Sequence, residues 1–306
     1  RTECGGREVP GTTRRARELS GMLPRWCLPS RMARPKKYST GPPVAATMPP
    51  GQCQFTEEWT PCKLLEVAVV SHNVKVFSFE TPDPAKPLGL STCACILARG
   101  QALADGAEVV RPYTPVSTNA VPGRFDLMVK VYPDGKMSTY LDSLPIGSPV
   151  DFKHIPPNVK IQYPFGHAHV GMLVGGTGIT PMVQALHAVL GNPADETRVS
   201  MLVGNQSQDD ILARETLDTW AAEHPGRLSV THVLSREPEG SPWPGHRGFI
   251  SRELVEKYMP PPGSDCKILV CGPPPMYAAL CGPRDQPELS GVLKDMGYKK
   301  EQVYKF

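Results

Sequence analysis

The sequence predicts two domains of different class, a six-stranded antiparallel β-barrel followed by a doubly wound α/β domain with a parallel sheet. Three observations predict them. A chain of 306 residues, 40% of them hydrophobic, has enough length and apolar material for two cores. Short strands separated by turns fill residues 57–164, and strands alternate with helices over residues 165–306. Residues 1–56 have no sustained periodicity, and we expect them to be a disordered basic segment.

Six short strands at turn-rich spacing favour a small barrel for residues 57–164. In residues 65–71 and 74–80, apolar side chains alternate with small or polar ones, the period of a half-buried strand. The other strands are expected at 94–97, 109–110, 125–132 and 150–152, with one helix at 138–144.

The second domain is expected to begin with the continuous apolar strand 170–174. Thr180 and Pro181 predict a helix start, with the hydroxyl as N-cap and the proline at the first helical position. Further strands are expected at 199–203, 228–234, 267–271 and 303–304, and helices at 210–223, 251–258 and 275–280. This alternation predicts a parallel sheet with helices on both faces.

The charge is distributed unevenly along the chain. Residues 1–50 contain ten Lys/Arg and three Glu, a net charge of +7 against +3 for the whole chain, which leaves −4 for residues 51–306. A mildly acidic globular part argues against a nucleic-acid binder. The Arg-rich, acid-poor start is typical of an organelle transit segment or of a basic tail. We therefore expect a mitochondrial location, with a cytoplasmic or membrane-peripheral one as the alternative.

The nine cysteines are scattered, and the pair Cys93 and Cys95 has no second pair to complete a zinc site. We expect a reduced intracellular protein without a metal. No run of 18 apolar residues occurs, so no membrane-spanning helix is expected.

A cation, an aromatic ring and a hydroxyl follow one another at a strand end in Arg111-Pro112-Tyr113-Thr114. Arginine offers a rigid fork of donors to phosphate. The tyrosine ring can pack against a flavin, and the threonine could bond the flavin's N5 region. Taken alone, the four residues also fit an ordinary strand end with a surface arginine and a packing tyrosine.

Gly135-Lys136-Met137-Ser138 lies between an expected strand and an expected helix. Backbone amides at a helix N-terminus, with the added charge of Lys136, would suit an anion. The alternative is a plain turn, which the preceding proline and aspartate also favour.

Two glycine- or proline-rich turns follow apolar strands in the second domain. Gly175-Gly176-Thr177-Gly178-Ile179-Thr180-Pro181 departs from the G-x-G-x-x-G fingerprint but would allow a ligand to approach the backbone closely. Cys271-Gly272-Pro273-Pro274-Pro275-Met276 ends a buried strand, where ligands bind in parallel sheets. The alternatives are a tight strand-to-helix turn and a small core thiol.

In this order the four motifs resemble those of the NADH–cytochrome b5 reductases, within the ferredoxin–NADP reductase superfamily, over roughly residues 60–306. The ending 288–306 looks most like the plant and algal mitochondrial branch. The resemblance implies an FAD-binding barrel, a nicotinamide-nucleotide domain, and hydride transfer from NADH to flavin N5. Single electrons would then pass to cytochrome b5 or a similar haem protein.

The resemblance also implies the site residues. Thr114 would orient the flavin N5, and Cys271 would set the angle of the nicotinamide. The residues expected to bind FAD are Arg111, Pro112, Tyr113, Thr114, Lys130, Val131, Tyr132, Gly135, Lys136, Met137, Ser138 and Thr180. Those expected to bind the nicotinamide nucleotide are Gly175, Gly176, Thr177, Gly178, Ser235, Arg236, Cys271, Gly272, Pro273, Pro274 and Met276.

The chain departs from the family pattern at two places. Cys95 stands where animal members have a histidine credited with proton relay, and His72 and His154 are not obvious replacements. Ser235-Arg236 stands where NADH-using relatives commonly have an aspartate that holds the ribose. An arginine there would suit a 2′-phosphate, so NADPH is a possible second nucleotide, unless Arg236 only caps a loop.

The partner and the terminus complete the expectations. Lys130, Lys136 and Lys153 are candidates for a docking patch toward an acidic haem edge, although each would also fit a solvated surface charge. A ferric chelate, a quinone or the haem partner of a molybdenum enzyme is the alternative acceptor, and a non-catalytic FAD- and nucleotide-binding module is the alternative function. We expect a monomer with an ordered terminus near Phe306.

Overall fold

The structure, a computed structural model, describes residues 40–46, 53–155 and 161–306. This part of the chain contains two six-stranded sheets, one between Thr60 and His154 and one between His169 and Lys305. We call residues 53–155 the first domain and residues 161–306 the second domain. The predicted disordered segment 1–56 lies outside the described residues, apart from 40–46 and 53–56. No described helix combines the length and the apolar character needed to cross a membrane.

The first domain is built on an antiparallel sheet with the strand order β4-β3-β6-β1-β2-β5. Its strands are β1 Thr60–Val69, β2 Val74–Glu80, β3 Ile96–Gln101, β4 Glu108–Tyr113, β5 Arg124–Lys130 and β6 Pro149–His154. The expected six-stranded antiparallel architecture is confirmed. Strand β1 begins earlier than expected because it serves two partners: residues 60–63 pair with β6, and after a register shift residues 66–69 pair with β2.

The segment that follows β4 joins the two edge strands, β4 and β5. The Val116 amide donates to the Asp126 carbonyl at 2.8 Å, and the Asp126 amide donates to the Ser117 hydroxyl at 2.9 Å. Residues 115–117 therefore curl the sheet into a half-barrel. Helix α1, Lys136–Ser143, packs against β3 and β4 and begins two residues before its predicted start.

Four phenylalanine rings fill the half-barrel. Phe125 lies edge-on to Phe152 at 5.0 Å between ring centroids, and Phe79 lies 4.9 Å from Phe152. Phe55 stacks on Phe152 at 5.9 Å. These rings are buried and form the core of the half-barrel. The polar motif residues lie at the edge of the sheet, outside this core.

The second domain has a parallel sheet with the strand order β10-β9-β8-β7-β11-β12. Its strands are β7 His169–Gly175, β8 Arg198–Asn205, β9 Leu228–Leu234, β10 His246–Arg247, β11 Cys266–Cys271 and β12 Val303–Lys305. Its helices are α2 Ile179–Leu190, α3 Arg214–Glu223, α4 Arg252–Tyr258, α5 Pro274–Leu280 and α6 Gly291–Asp295. The expected parallel α/β class is confirmed, and the ordered terminal strand is present. Neither the short strand β10 nor helix α6 was expected.

Two predicted helix starts are wrong. Thr180 does not cap α2: a 3-10 turn at Gly176–Gly178 leads into the helix, and the Thr180 hydroxyl donates back to the Thr177 carbonyl at 3.3 Å. Helix α3 does not begin at Asp210, because that carboxylate caps a separate 3-10 turn, Gln208–Asp210. Ala213 then adopts a left-handed conformation with φ of 54°, and the helix begins after it.

One apolar core continues from the first domain into the second. Val116 and Met128 of the first domain are buried in the same cluster as Val174 and Ile179 of the second. Burial of apolar surface across this contact favours a fixed arrangement of the two sheets.

A polar clamp reinforces the contact. The Gln184 side chain on α2 donates to the carbonyls of Pro115 and Ser117 at 2.8 and 2.6 Å. The segment that directly follows Arg111–Thr114 is thus fastened to the second domain. Gln184 is a polar residue within a predominantly apolar helix, the one signal in the sequence for this contact.

Residues 40–46 pack on helices α2 and α3. The Trp220 indole donates to the Gly41 carbonyl at 3.0 Å, and the Val44 amide donates to Nδ1 of His187 at 3.1 Å. His187 is 2% exposed, and burial lowers its pKa to about 4. The imidazole is therefore neutral at physiological pH, and its Nδ1 is free to accept this bond.

Candidate functional site

The carboxyl ends of β7 and β11 form the centre of the site. These two strands are neighbours, with Val174 opposite Cys271, and the chain order changes direction between them. Strands β8, β9 and β10 follow to one side of β7, and β11 and β12 lie on the other. In open parallel sheets this switch point leaves a crevice in which ligands bind. The two predicted turns, 175–181 and 271–276, both begin there.

The glycines of the two turns allow the turns to touch. A side chain at Gly178 would overlap the Cys271 carbonyl, and one at Gly175 would lie 2.7 Å from the Pro273 ring. A Cβ added at Gly272 would lie 2.5 Å from the Met276 sulfur. These residues serve close packing.

Gly176 differs from the other glycines of the turn. Its φ is +52°, and an added Cβ would meet no atom within 4 Å. The turn therefore presents an open backbone face at Gly176, with Thr177 half-buried beside it. This is the part of the turn at which a ligand can approach the main chain.

Cys271 presents a neutral thiol at the crevice. Burial raises the pKa of the thiol to about 11, although the Tyr277 hydroxyl and Arg284 act in the opposite direction. The group is therefore protonated at physiological pH and is neither a nucleophile nor a base there. It offers a small, weakly polar surface at the end of β11.

The carboxyl terminus covers the same region. The Phe306 amide donates to the Val270 carbonyl at 3.1 Å, and the Tyr277 hydroxyl donates to the Phe306 carbonyl at 2.9 Å. The Tyr304 ring lies edge-on to Phe306 at 4.8 Å. Burial raises the pKa of Tyr304, and the neighbouring thiols of Cys93, Cys95 and Cys271 act in the same direction. The last strand thus brings the Tyr304 ring beside three thiols, with the Phe306 ring packed against it.

The motif Arg111–Thr114 lies at the end of edge strand β4 and just beyond it. Pro112 is tolerated because an edge strand leaves one side without a ladder partner. The Arg111 guanidinium is exposed, and among the described residues it donates only to the adjacent Val110 carbonyl, at 2.8 Å. Burial raises the pKa of Tyr113 to about 12, and the Thr114 side chain forms no hydrogen bond within the described residues. A cation and a hydroxyl are thus available here.

The motif Gly135–Ser138 forms the first turn of α1 and not the loop before it. No side chain caps this turn, so its first amides are available to an acceptor. The Lys136 ammonium is exposed, with Asp105 at 3.5 Å. Met137 and Ser138 are buried, and the Ser138 hydroxyl bonds the Gly135 carbonyl and the Tyr132 amide. These two residues can therefore offer a ligand their backbone but not their side chains.

Lys130 is not part of an exposed docking patch. Its ammonium lies 3.2 Å from the Asp210 carboxylate of the second domain, and its side chain is 15% exposed. Val131 is half-buried and Tyr132 is 52% exposed. The Lys153 ammonium packs over the Trp59 ring at 4.7 Å and the residue is half-buried. Of the three lysines proposed for docking, Lys136 is the one that is exposed.

The expected ribose site lies at the carboxyl ends of β8 and β9. Ser235 donates through its amide and hydroxyl to the Asn205 carbonyl. The Asn205 side-chain nitrogen is buried and has no hydrogen-bond partner within the described part of the chain. The Arg236 side chain is exposed and has no partner among the described residues. The Glu237 carboxylate accepts two bonds from Gln208, at 2.7 and 2.8 Å. In the part of the chain that the structure describes, the ends of β8 and β9 therefore carry a side-chain cation and a side-chain amide nitrogen that have no partner.

A short series of contacts joins the motifs of the two domains. Ile96 on β3 pairs with Tyr113 on β4. Cys93, shortly before Ile96, donates its thiol to the Pro181 carbonyl at 3.2 Å, and its pKa is raised by burial and by the Cys271 thiol. The end of β4 and the end of β11 therefore face one region. Cys93, Tyr304, Gln184 and Asp210 were not among the expected site residues, because their contacts connect distant parts of the chain.

The available groups fit the two expected ligands. On the first domain, Arg111, Lys136 and the uncapped α1 amides suit a pyrophosphate, and Tyr113 offers a ring for a flat heterocycle. On the second domain, the open face at Gly176 and the uncharged Cys271 suit a nicotinamide ring and its ribose. The Asn205 side-chain nitrogen, which no other described residue satisfies, offers a donor further along the sheet edge.

Comparisons with known proteins agree with this division. Residues 61–163 match the oxidoreductase FAD-binding domain family, and residues 172–282 match the oxidoreductase NAD-binding domain family. The chain is 41% identical over 256 residues to NADH-cytochrome b5 reductase 2 of Coccidioides immitis, which covers 81% of this chain and 77% of that protein.

Solved structures give the same answer. The cytochrome b5 reductase domain of Ulva prolifera nitrate reductase superposes with a TM-score of 0.70 at 30% identity, covering 86% of this chain and all of that one. The CS-b5R domains of human Ncb5or, in the NAD+ form, give a TM-score of 0.66 at 25% identity, covering 81% and 69%. The chain is therefore an FAD- and NAD-binding oxidoreductase and belongs to the NADH-cytochrome b5 reductase family.

Proposed function

We propose that the physiological electron acceptor of this reductase is cytochrome b5 or a similar haem protein, supplied with electrons from NADH by way of FAD. The likeness to NADH-cytochrome b5 reductase 2 supports this acceptor. The transfer from NADH to FAD is supported by the continuous contact between the two cofactor-binding faces. The Cys93 thiol of the first domain donates to the Pro181 carbonyl of the second. The Gln184 side chain of the second domain donates to the Pro115 and Ser117 carbonyls, directly after Thr114. A hydride passes only between a nicotinamide ring and a flavin ring that are held in contact. The contacts between the two domains supply one region in which both rings can lie.

The first domain would hold FAD and orient its ring system. Arg111 and Lys136 would neutralise the pyrophosphate, together with the α1 amides. Tyr113 would pack along the ring system, and the Thr114 hydroxyl would donate to or accept from its N5 edge. FAD, when bound, accepts a hydride and releases electrons singly. The protein contributes position and a fixed electrostatic environment.

The second domain presents the nucleotide. The backbone at Gly176 would approach the nicotinamide ribose, and the Cys271 thiol would limit the tilt of the nicotinamide without exchanging a proton. Tyr304 and Phe306 would exclude water from the same region. Exclusion of water protects a reactive hydride from side reactions.

An anaerobic titration followed by an acceptor panel tests this function. The purified protein should be yellow, should lose its visible flavin absorbance on addition of NADH, and should then reduce cytochrome b5 faster than a ferric chelate or a quinone. A yellow protein that does not bleach would be a binding module. Faster reduction of the chelate or the quinone would reassign the acceptor and leave the reductase assignment intact.

We also propose that NADPH is a second substrate. Arg236 is an exposed cation whose side chain has no partner among residues 40–46, 53–155 and 161–306. Ser235 replaces a carboxylate that would repel a 2′-phosphate, and the Glu237 carboxylate already accepts two bonds from Gln208. Arg236→Ala should lower the ratio of kcat/KM for NADPH to that for NADH by about tenfold, with Arg252→Ala on the same domain as control. An unchanged ratio would mean that Arg236 does not reach the nucleotide.

We propose a mitochondrial location and a monomeric state. The net charge of +7 over residues 1–50 supports a mitochondrial location, and cell fractionation with antibody detection tests it. The exposed large apolar side chains of the described residues are few, six on separate strands and loops of the first domain, two of them on β1, and Phe249 on the second, which supports a monomer. Sedimentation velocity at micromolar concentration tests the assembly state.

A further inference from the structure

An ion pair crosses the contact between the two domains. The Lys130 ammonium, at the end of β5, lies 3.2 Å from Oδ1 of Asp210, which belongs to the 3-10 turn before α3. The side chains are 15% and 9% exposed, so water screens this pair far less than a surface pair. The His72 ring of the first domain also faces this carboxylate, with Nε2 at 3.8 Å from the same oxygen.

The Asp210 carboxylate is held in place by its own domain. It accepts the Ser207 hydroxyl at 2.8 Å and the Ser207 amide at 3.2 Å, forming a capping box. Burial raises the pKa of Asp210, but the bonds from Ser207 and the Lys130 ammonium outweigh it, and the net shift is downward. The carboxylate therefore presents a fixed negative charge to the first domain.

Lys130 occupies the place where the first domain meets the glycine turn. Strand β5 packs against the 3-10 turn Gly176–Gly178, and Met128 on the same strand enters the shared apolar core beside Val174 and Ile179. A change in the position of Lys130 would therefore move β5 relative to the open face at Gly176.

We propose that Asp210 is a positioning residue for hydride transfer: by holding Lys130 it fixes the glycine turn of the second domain against the flavin-binding face of the first. The inference rests on the proposed transfer from NADH to FAD and adds a residue that touches neither ligand. It differs from a direct role of Lys130 toward the nucleotide phosphates, in which Asp210 would only compete for the ammonium.

A double-mutant cycle followed by anaerobic stopped-flow reduction separates these two roles. The variants are Asp210→Asn, which keeps an acceptor for Ser207, Lys130→Met, the double variant, and Lys130→Arg. The matched control is the ion pair Lys75–Asp142, whose two residues both belong to the first domain, changed in the same way to Met and Asn. FAD content and melting temperature are measured for every variant. The dependence of the reduction rate on NADH concentration gives a limiting rate and a dissociation constant.

If Asp210 acts through Lys130, each single variant loses about tenfold in limiting rate, and the double variant loses no more than either single one. Asp210→Asn leaves the dissociation constant of NADH within about threefold, Lys130→Arg restores most of the rate, and the control pair has no effect. The charge-transfer absorbance of NAD+ on reduced flavin weakens in parallel.

Two results would overturn the proposal. One is a limiting rate for Asp210→Asn equal to that of the unmodified protein, with Lys130→Met raising only the dissociation constant. The other, decisive even if Asp210→Asn fails to fold, is a Lys130→Arg variant as slow as Lys130→Met. Failure of NADH to reduce the flavin of the unmodified protein would instead contradict the proposed function itself.

Discussion

The two faces of the cleft differ in the chemistry they offer. The first domain presents cations and free amides: Arg111 and Lys136 are exposed, and the first turn of α1 has no side-chain cap. The second domain presents, at the ends of β7 and β11, a glycine turn with one open position and a thiol that is protonated at physiological pH. The first face suits a dianionic cofactor that stays bound, and the second suits a planar ring that enters and leaves.

Of the substitutions on the second face, Gly178→Ala is expected to have the largest effect on stability. The added methyl group of Gly178→Ala would overlap the backbone carbonyl of Cys271, and backbone cannot move aside as a flexible side chain does. We expect a loss of about 3 kcal/mol or more in the free energy of unfolding, measured by urea denaturation.

Gly176→Ala is the matched control, because its methyl group would meet nothing within 4 Å and only the φ of +52° opposes it. The expected loss is about 1 kcal/mol, together with weaker NADH binding if the ligand approaches there. Equal losses for the two variants would contradict the distinction between packing glycines and a ligand-facing one.

The pH dependence of the free energy of unfolding tests a buried histidine of the second domain, His187. The pKa of His187 is lowered by burial from 6.5 to about 4, so the unfolded chain takes up a proton before the folded one as the pH falls. The stability that this group contributes is complete above pH 6.5 and is lost between pH 6.5 and 4. The loss amounts to about 3 kcal/mol.

The control for this titration is His187→Asn, which keeps an acceptor for the Val44 amide. It should be less stable at neutral pH, because the ring packed edge-on against Trp220 is lost, but its stability should fall less steeply below pH 6.5. Burial also lowers the pKa values of His154, His169 and His232, and these residues supply further slope. Parallel curves for the two proteins would exclude His187 as the source.

The first face is tested by Arg111→Ala. Loss of a charge-assisted bond to phosphate should weaken FAD binding by about 10- to 100-fold, equivalent to about 1.5–3 kcal/mol, measured by fluorescence titration of the apoprotein. Arg99→Ala on the neighbouring strand is the control, since the Arg99 guanidinium is neutralised by Asp151 at 2.6 Å. Equal weakening by both variants would remove Arg111 from the pyrophosphate site.

The smallest expected effect is that of Cys271→Ser. Because burial raises the pKa of the thiol to about 11, the thiol is protonated at neutral pH and contributes shape and not proton transfer. The limiting rate of flavin reduction should fall by less than about tenfold, or about 1.4 kcal/mol, and the pH profile below pH 10 should keep its form. Loss of an inflection from that profile would give the thiol an acid–base role.

Secondary structure could be predicted from the sequence where it depends on residues that are close together in the chain. Strands such as Val74–Glu80 and Leu228–Leu234 have the expected bounds, because apolar periodicity is a local property. Helix α3 was wrongly extended to Asp210, since the pattern Ser207-x-x-Asp210 is compatible both with a helix start and with an isolated capped turn.

Contacts between distant segments were beyond prediction. The pairing of Lys130 with Asp210, the clamp of Gln184 on residues 115–117 and the position of Tyr304 beside Cys93 all depend on how the two domains pack. No local pattern encodes that packing. The glycine motif predicted close approach correctly, but only the structure separates Gly178, which packs on Cys271, from Gly176, which faces open space.

The most direct measurement is a crystal structure of the protein with FAD and NAD+. The account predicts that the flavin ring lies along Tyr113 and Thr114, with the nicotinamide ring in contact with it between Gly176 and Cys271. Density for the two rings in separate compartments, or a Tyr304 side chain that keeps them apart, would contradict the account.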